Sequence, residues 1–175
     1  MSTPVDHATW LQSHLTTLCE SESEDSFHGS FDSVFAPGCQ VIVNHTPASI
    51  DEFKDQLRTN LGASVSAKTS WENVITASPR SPSEDNQESS QGVTSDQASI
   101  VAAFVTITRS MKFRIRAAPA QRQSLVHLSA KIEGNGTEEA DGRRITSLLW
   151  TSVERTPPIH FPTPHAVAAQ TGSQE

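Results

Sequence analysis

An α+β fold, a cone-like roll with N-terminal helices packed on a strongly curved antiparallel β-sheet, is predicted by three observations. Apolar residues recur at helical spacing near the start of the chain, a well-capped helix begins near Ile50, and four extended runs alternate apolar and polar residues. The longest run, from Ser99 to Arg116, exceeds what a small core can cover unbent, so a bulge or bend is expected in it.

The chain has 175 residues, enough for one core and too few for two ordinary domains once the polar tracts are set aside. That core is placed at residues 6–156, with a flexible insertion at 79–96 and a disordered tail at 157–175. Both excluded segments lack the apolar surface needed to offset the entropy of ordering.

The first helix is read from about Asp6 to Cys19, with Asp6 as its cap and Trp10, Leu11, Leu15 and Leu18 as its buried stripe. Acidic residues from Glu20 to Asp25 interrupt the pattern. A short second helix carrying Phe27, Phe31, Val34 and Phe35 then ends at Pro37-Gly38. Cys39–Asn44 reads as a strand and His45–Ser49 as a turn.

Ser49, with Glu52 three positions on, makes a capping box for a third helix that buries Ile50, Phe53, Leu57 and Leu61 and closes near Gly62. Strands follow at about 68–77, 97–116, 122–133 and 143–154. Trp71, Asn73 and Ile75 are expected to share one side of the first of these; Ile145, Leu149 and Val153 are expected to share one side of the last. The last three are joined by connections too short for crossover helices, so an antiparallel arrangement is expected.

This order resembles the nuclear transport factor 2-like superfamily, the SnoaL-like proteins. The resemblance rests on Phe31-Asp-Ser-Val-Phe35 before Val41-Ile-Val43, on Ile50-Asp-Glu-Phe-Lys-Asp-Gln-Leu57, and on the closing run Arg144-Ile-Thr-Ser-Leu-Leu-Trp-Thr-Ser-Val153. It implies a cavity between helices and sheet, and a homodimer through the outward sheet face. Val101, Ala103, Val105 and Ile107, with His127 or Trp150, are the residues expected on that face.

Two functions follow as expectations. One is a domain that binds a small hydrophobic ligand or mediates protein association; the alternative is a cofactor-independent lyase or isomerase. For the latter, Asp32 and His127 are the candidate catalytic pair, since a carboxylate can orient the imidazole that shuttles a proton. Trp10, His14, Phe31, Phe53, Trp71 and Phe113 are the candidate ligand-binding walls.

No cofactor or metal is expected, because nucleotide-cradle, zincin and nucleophile-elbow motifs are absent from the sequence. Cys19 and Cys39 have no metal-ligand spacing. A formal charge of -7 argues against nucleic acid, and Arg109, Lys112, Arg114 and Arg116 read as one solvated strand face. No run of apolar residues suits a membrane span, so the expected location is cytoplasmic, with nuclear entry open.

Overall fold

The computed structural model describes residues 6–77, 98–115, 118–134 and 141–157. The segment 79–96 and the tail beyond 157, expected to be flexible, lie outside the described residues.

Three helices come early: α1 (His7–Cys19), α2 (Glu24–Val34) and α3 (Ile50–Ala63). Six strands complete the chain: β1 (Phe35–Val43), β2 (Thr46–Ala48), β3 (Ser64–Ala77), β4 (Ser99–Ile115), β5 (Ala118–Glu133) and β6 (Arg144–Arg155).

Local chemistry explains the helix starts. Asp6 accepts from the Thr9 amide at 2.8 Å and Ser23 from the Ser26 amide at 3.2 Å. Ser49 accepts from the Glu52 amide at 3.1 Å while Glu52 takes the Ser49 amide at 2.8 Å, the reciprocal box expected from the sequence. The acidic run does not interrupt helix formation throughout: Glu24 and Asp25 form the first turn of α2, where carboxylates favour the helix dipole.

Pro37 and Gly38 do not end α2. They lie within β1, which shifts register against β6 between Phe35 and Gln40. The expected 45–49 turn is also shorter than read, because Asn44 and His45, both at positive φ, reverse the chain into β2.

The sheet has the order β2-β1-β6-β5-β4-β3. This overturns the expected cone-like roll with a strongly curved sheet. Its two edges, β2 and β3, lie five positions apart and, among the described residues, do not pair with each other; the sheet is open and not strongly curled. It is not wholly antiparallel either, since β1 runs parallel to β6, Val41 facing Leu148 and Val43 facing Trp150. The helix between β1 and β3 allows that arrangement by carrying the chain from one side of the sheet to the other.

The bulge expected in the long strand is present between Ser110 and Arg114. Other register shifts reverse side-chain parity where the sequence alone suggests regular alternation. In β3 a shift between Glu72 and Ile75, with Asn73 at φ 53°, leaves Trp71 facing the helices and Ile75 66% exposed. In β6, Ile145, Leu148 and Trp150 are buried, whereas Leu149 and Val153 face outward.

The core lies between the helices and one sheet face. Trp10, Leu11, Leu15 and Leu18 from α1 and Phe27 and Phe31 from α2 meet Val101, Val105, Ile107, Val126 and Ile132. The row Val101, Ala103, Val105 and Ile107 is therefore buried under helices and not available for association, as is Trp150.

At the far end, Asp141 ties the beginning of β6 to α1. One of its oxygens accepts from the Arg143 amide and Nε at 3.1 and 2.9 Å; the other accepts from Arg143 Nη2 at 2.9 Å and Trp10 Nε1 at 2.6 Å. These bonds, led by Arg143, lower the carboxyl pKa from 3.8 to about 2. Its folded pKa lies below the unfolded one, so the carboxylate contributes stability that is full above about pH 4 and lost as pH falls towards about 2. Asp141→Asn is expected to remove that component, flattening the stability profile in this window as measured by urea unfolding at stepped pH.

Candidate association face and interior

The two sides of the sheet differ in what they offer. On the helix side, the candidate wall residues Trp10, Phe31 and Phe53 are 2%, 3% and 1% exposed. Phe53 meets Phe31, Phe35 and Trp150 with ring centroids 6.5, 6.0 and 5.4 Å apart. These rings occupy the space between α2, α3 and the sheet by packing on one another.

His14 stacks on Trp10 at 4.6 Å, and its Nδ1 lies 2.9 Å from the Trp10 carbonyl oxygen. Trp71 donates from Nε1 to Thr16 Oγ1 at 2.9 Å. Phe113 lies past the bulge and is 56% exposed. The six candidates are thus distributed over core and surface. A groove of about 720 Å³ opens instead between the end of α1, the end of α3 and the start of β3, bordered by Glu20, Glu22, Glu24, Leu61, Val65 and Lys112. None of the six borders it.

The structure does not bring Asp32 and His127 together. Asp32 is an exposed residue of α2 whose carboxylate accepts from Lys54 Nζ of α3 at 2.7 Å. His127 sits between buried Val126 and Leu128, so strand alternation turns it to the opposite, solvent side of the sheet. There its ring lies 4.7 Å from that of Phe104. A six-stranded sheet separates the two groups, and no proton passes directly between them.

On this outer side the registers align apolar residues across five strands. Ile42 of β1 faces Leu149 of β6, which faces Ser129 of β5, then Ala102 of β4 and Ile75 of β3. The next row contains Thr151, His127, Phe104 and Glu72; the one after it contains Val153, Leu125, Thr106 and Ser70. Ile42, Leu149, Val153 and Ile75 are 39%, 38%, 60% and 66% exposed.

Among the described residues, the centre of this face carries hydroxyls, one imidazole and apolar groups. Charged Lys131, Glu72, Lys68 and Arg155 stand towards its margins. An uncharged centre with an aromatic residue and a charged rim suits burial against another surface.

The outer edge strand is protected. Glu20, the C-terminal cap of α1, accepts from the Thr69 amide at 2.6 Å and from its hydroxyl at 2.8 Å, occupying a strand group that would otherwise offer a pairing site. The bulge at Asn73 interrupts the same edge. At Thr69 this edge is therefore closed to strand addition.

Arg109 is the residue whose placement the sequence reading missed. Of the expected solvated face of Arg109, Lys112, Arg114 and Arg116, Lys112 and Arg114 are exposed, Arg116 lies outside the described residues, and Arg109 is 5% exposed beneath the helices. Its position continues the row of Val101, Ala103, Val105 and Ile107 before the bulge, a parity signal present in the sequence. It donates from Nη1 to Ser124 Oγ at 2.9 Å.

Among the described residues, no three His, Cys, Asp or Glu side chains cluster as metal ligands, and no helix is long and apolar enough to cross a membrane.

No family model matches the sequence, and no curated protein matches it in sequence. Solved structures do match its fold. A hexachlorocyclohexane dehydrochlorinase, LinA type 2, superposes with a TM-score of 0.52 at 11% identity, covering 89% of this chain and 90% of its own. A conserved protein from Planctomyces limnophilus gives 0.52 at 11% identity, covering 86% and 100%. The Mtr2–Mex67 M domain complex of C. albicans contains a chain that gives 0.50 at 11% identity, covering 85% and 93%. Similarity this low in sequence establishes architecture and not activity. The chain has the fold of the nuclear transport factor 2-like, SnoaL-like superfamily.

Proposed function

We propose that this chain is a protein-association domain whose outer sheet face pairs with a second copy of itself. The observation that carries this reading is the aligned apolar row Ile42, Leu149, Ala102 and Ile75, interrupted only by Ser129 and flanked by Phe104, Leu125 and Val153. Contiguous apolar surface rimmed by polar groups marks contact sites.

A second copy suits the face because its centre is uncharged. Twofold pairing sets identical residues near one another, and a charged centre would repel itself. Here both signs occur at the margin, so Lys131, Lys68 and Arg155 of one copy have Glu72 of the other as a potential counterpart. The net charge of -7 is therefore no obstacle at the contact itself.

The fold accommodates both a dehydrochlorinase and a chain found in a protein complex, so it does not choose between chemistry and association. The separation of Asp32 from His127 and the mutual packing of Phe31, Phe35, Phe53 and Trp150 favour association. Sedimentation velocity of the full chain from 1 to about 100 µM, a span covering ordinary weak to moderate dimers, is the test. A mass that rises to twice the monomer supports it. A native chain that stays monomeric throughout counts against the second copy and directs attention to a different protein partner.

A further inference from the structure

We propose that Arg109 binds a halide-sized anion in the cavity between the three helices and β4. The cavity has a volume of about 10 Å³ and is lined by Leu18 and Cys19 of α1, Phe27 of α2, Leu57 and Leu61 of α3, and Arg109 itself. That is space for one particle about the size of a water molecule.

The site is built around an unbalanced charge. Arg109 is 5% exposed, yet among the described residues no carboxylate forms an ion pair with it. Its one hydrogen bond runs from Nη1 to Ser124 Oγ, leaving most of its five N–H donors for another acceptor. Glu154 is the carboxylate that acts on it electrostatically, but that group is held by Arg122 at 3.2 Å. Isolated buried cations are costly, and burial pushes the guanidinium pKa down. An anion beside it offsets that cost.

The walls select the size and sign of the occupant. Four of the six lining side chains are Leu or Phe, which offer no competing acceptor. Burial pushes the Cys19 thiol up to about 11, so at neutral pH it remains S–H and can donate a weak hydrogen bond. Guanidinium and thiol both border the space, and both carry hydrogen. A polyatomic anion such as sulfate exceeds it, whereas chloride or bromide requires only a small adjustment of the apolar walls.

The test compares the native full chain with Arg109→Met in chloride, bromide and gluconate at constant ionic strength. Above the dissociation constant, each tenfold rise in a bound ion multiplies the folding constant about tenfold. For a chain of this size the native melting temperature should then rise by roughly 3–5 °C per tenfold increase in halide relative to gluconate. Arg109→Met should lack that difference, and native crystals in bromide should give an anomalous peak beside the Arg109 guanidinium. An equal halide response in both proteins, or water alone at the cavity in bromide, would overturn the proposal. The diffraction result needs no variant, so it decides the matter even if Arg109→Met fails to fold.

Discussion

Leu149→Asp is expected to abolish self-association at micromolar concentration while leaving the fold intact. Leu149 lies within the outer apolar row, between Ile42 and Ser129, and is 38% exposed in the isolated chain. Burying a carboxylate there without a partner removes apolar contact and adds a desolvated charge, a loss of about 2 kcal/mol or more at one contact centre. In a twofold interface the substitution occurs twice, so the total is about 4 kcal/mol, a weakening of roughly a thousandfold. The monomer loses little by comparison, because the new carboxylate faces water. Sedimentation should therefore give a monomer whose circular dichroism matches that of the native chain. Val153→Lys, at a site 60% exposed, should act in the same direction with a still smaller effect on folding.

Phe53→Ala is expected to have the opposite signature, costing about 3–5 kcal/mol of folding stability. Phe53 is 1% exposed and joins α3 to the rings of Phe31, Phe35 and Trp150. Its removal leaves a cavity bounded by three elements, and α2, β1 and β6 cannot all close on the gap together. Urea unfolding should show a lowered midpoint with the slope retained. Phe53→Leu keeps most of the volume and should lose about half as much or less. A neutral Phe53→Ala would mean that this aromatic cluster is loosely packed.

Local signals in the chain predict its local structure well. The Trp10, Leu11, Leu15 and Leu18 stripe and the Ser49–Glu52 box both depend on residues within a few positions, and both are present in the structure. Alternation in β4 and β5 is present as read, but the Val101 row, expected on the outward face, lies in the core.

Legibility fails where geometry depends on distant strands or one extra residue. The parallel pairing of β1 with β6 joins segments about a hundred residues apart and leaves no mark on either. The bulge at Asn73 separates Trp71 from Ile75, and irregularity near the start of β6 separates Ile145 from Leu149. Row assignments made by counting in twos therefore fail in β3 and β6. In β4 the count holds from Val101 to Ile107, and only the side of the sheet on which the helices pack decides that this row is buried.

The candidate site was less legible than the fold for the same reason. Asp32 and His127 are chemically suited to proton transfer, but their elements face different sides of the sheet, with Asp32 held by Lys54 and His127 against Phe104. Arg109 and Asp141 draw their roles from partners that sequence spacing does not reveal: a cavity lined from three helices and an indole donated by α1.

The most direct test of association through the outer face is hydroxyl-radical labelling of the native full chain as concentration is raised, read residue by residue by mass spectrometry. The account predicts that Ile42, Phe104, Leu149 and Val153 lose reactivity together as the dimer forms, while exposed Phe113 and Val65 keep theirs. Dimer formation with undiminished labelling at those four residues would contradict it.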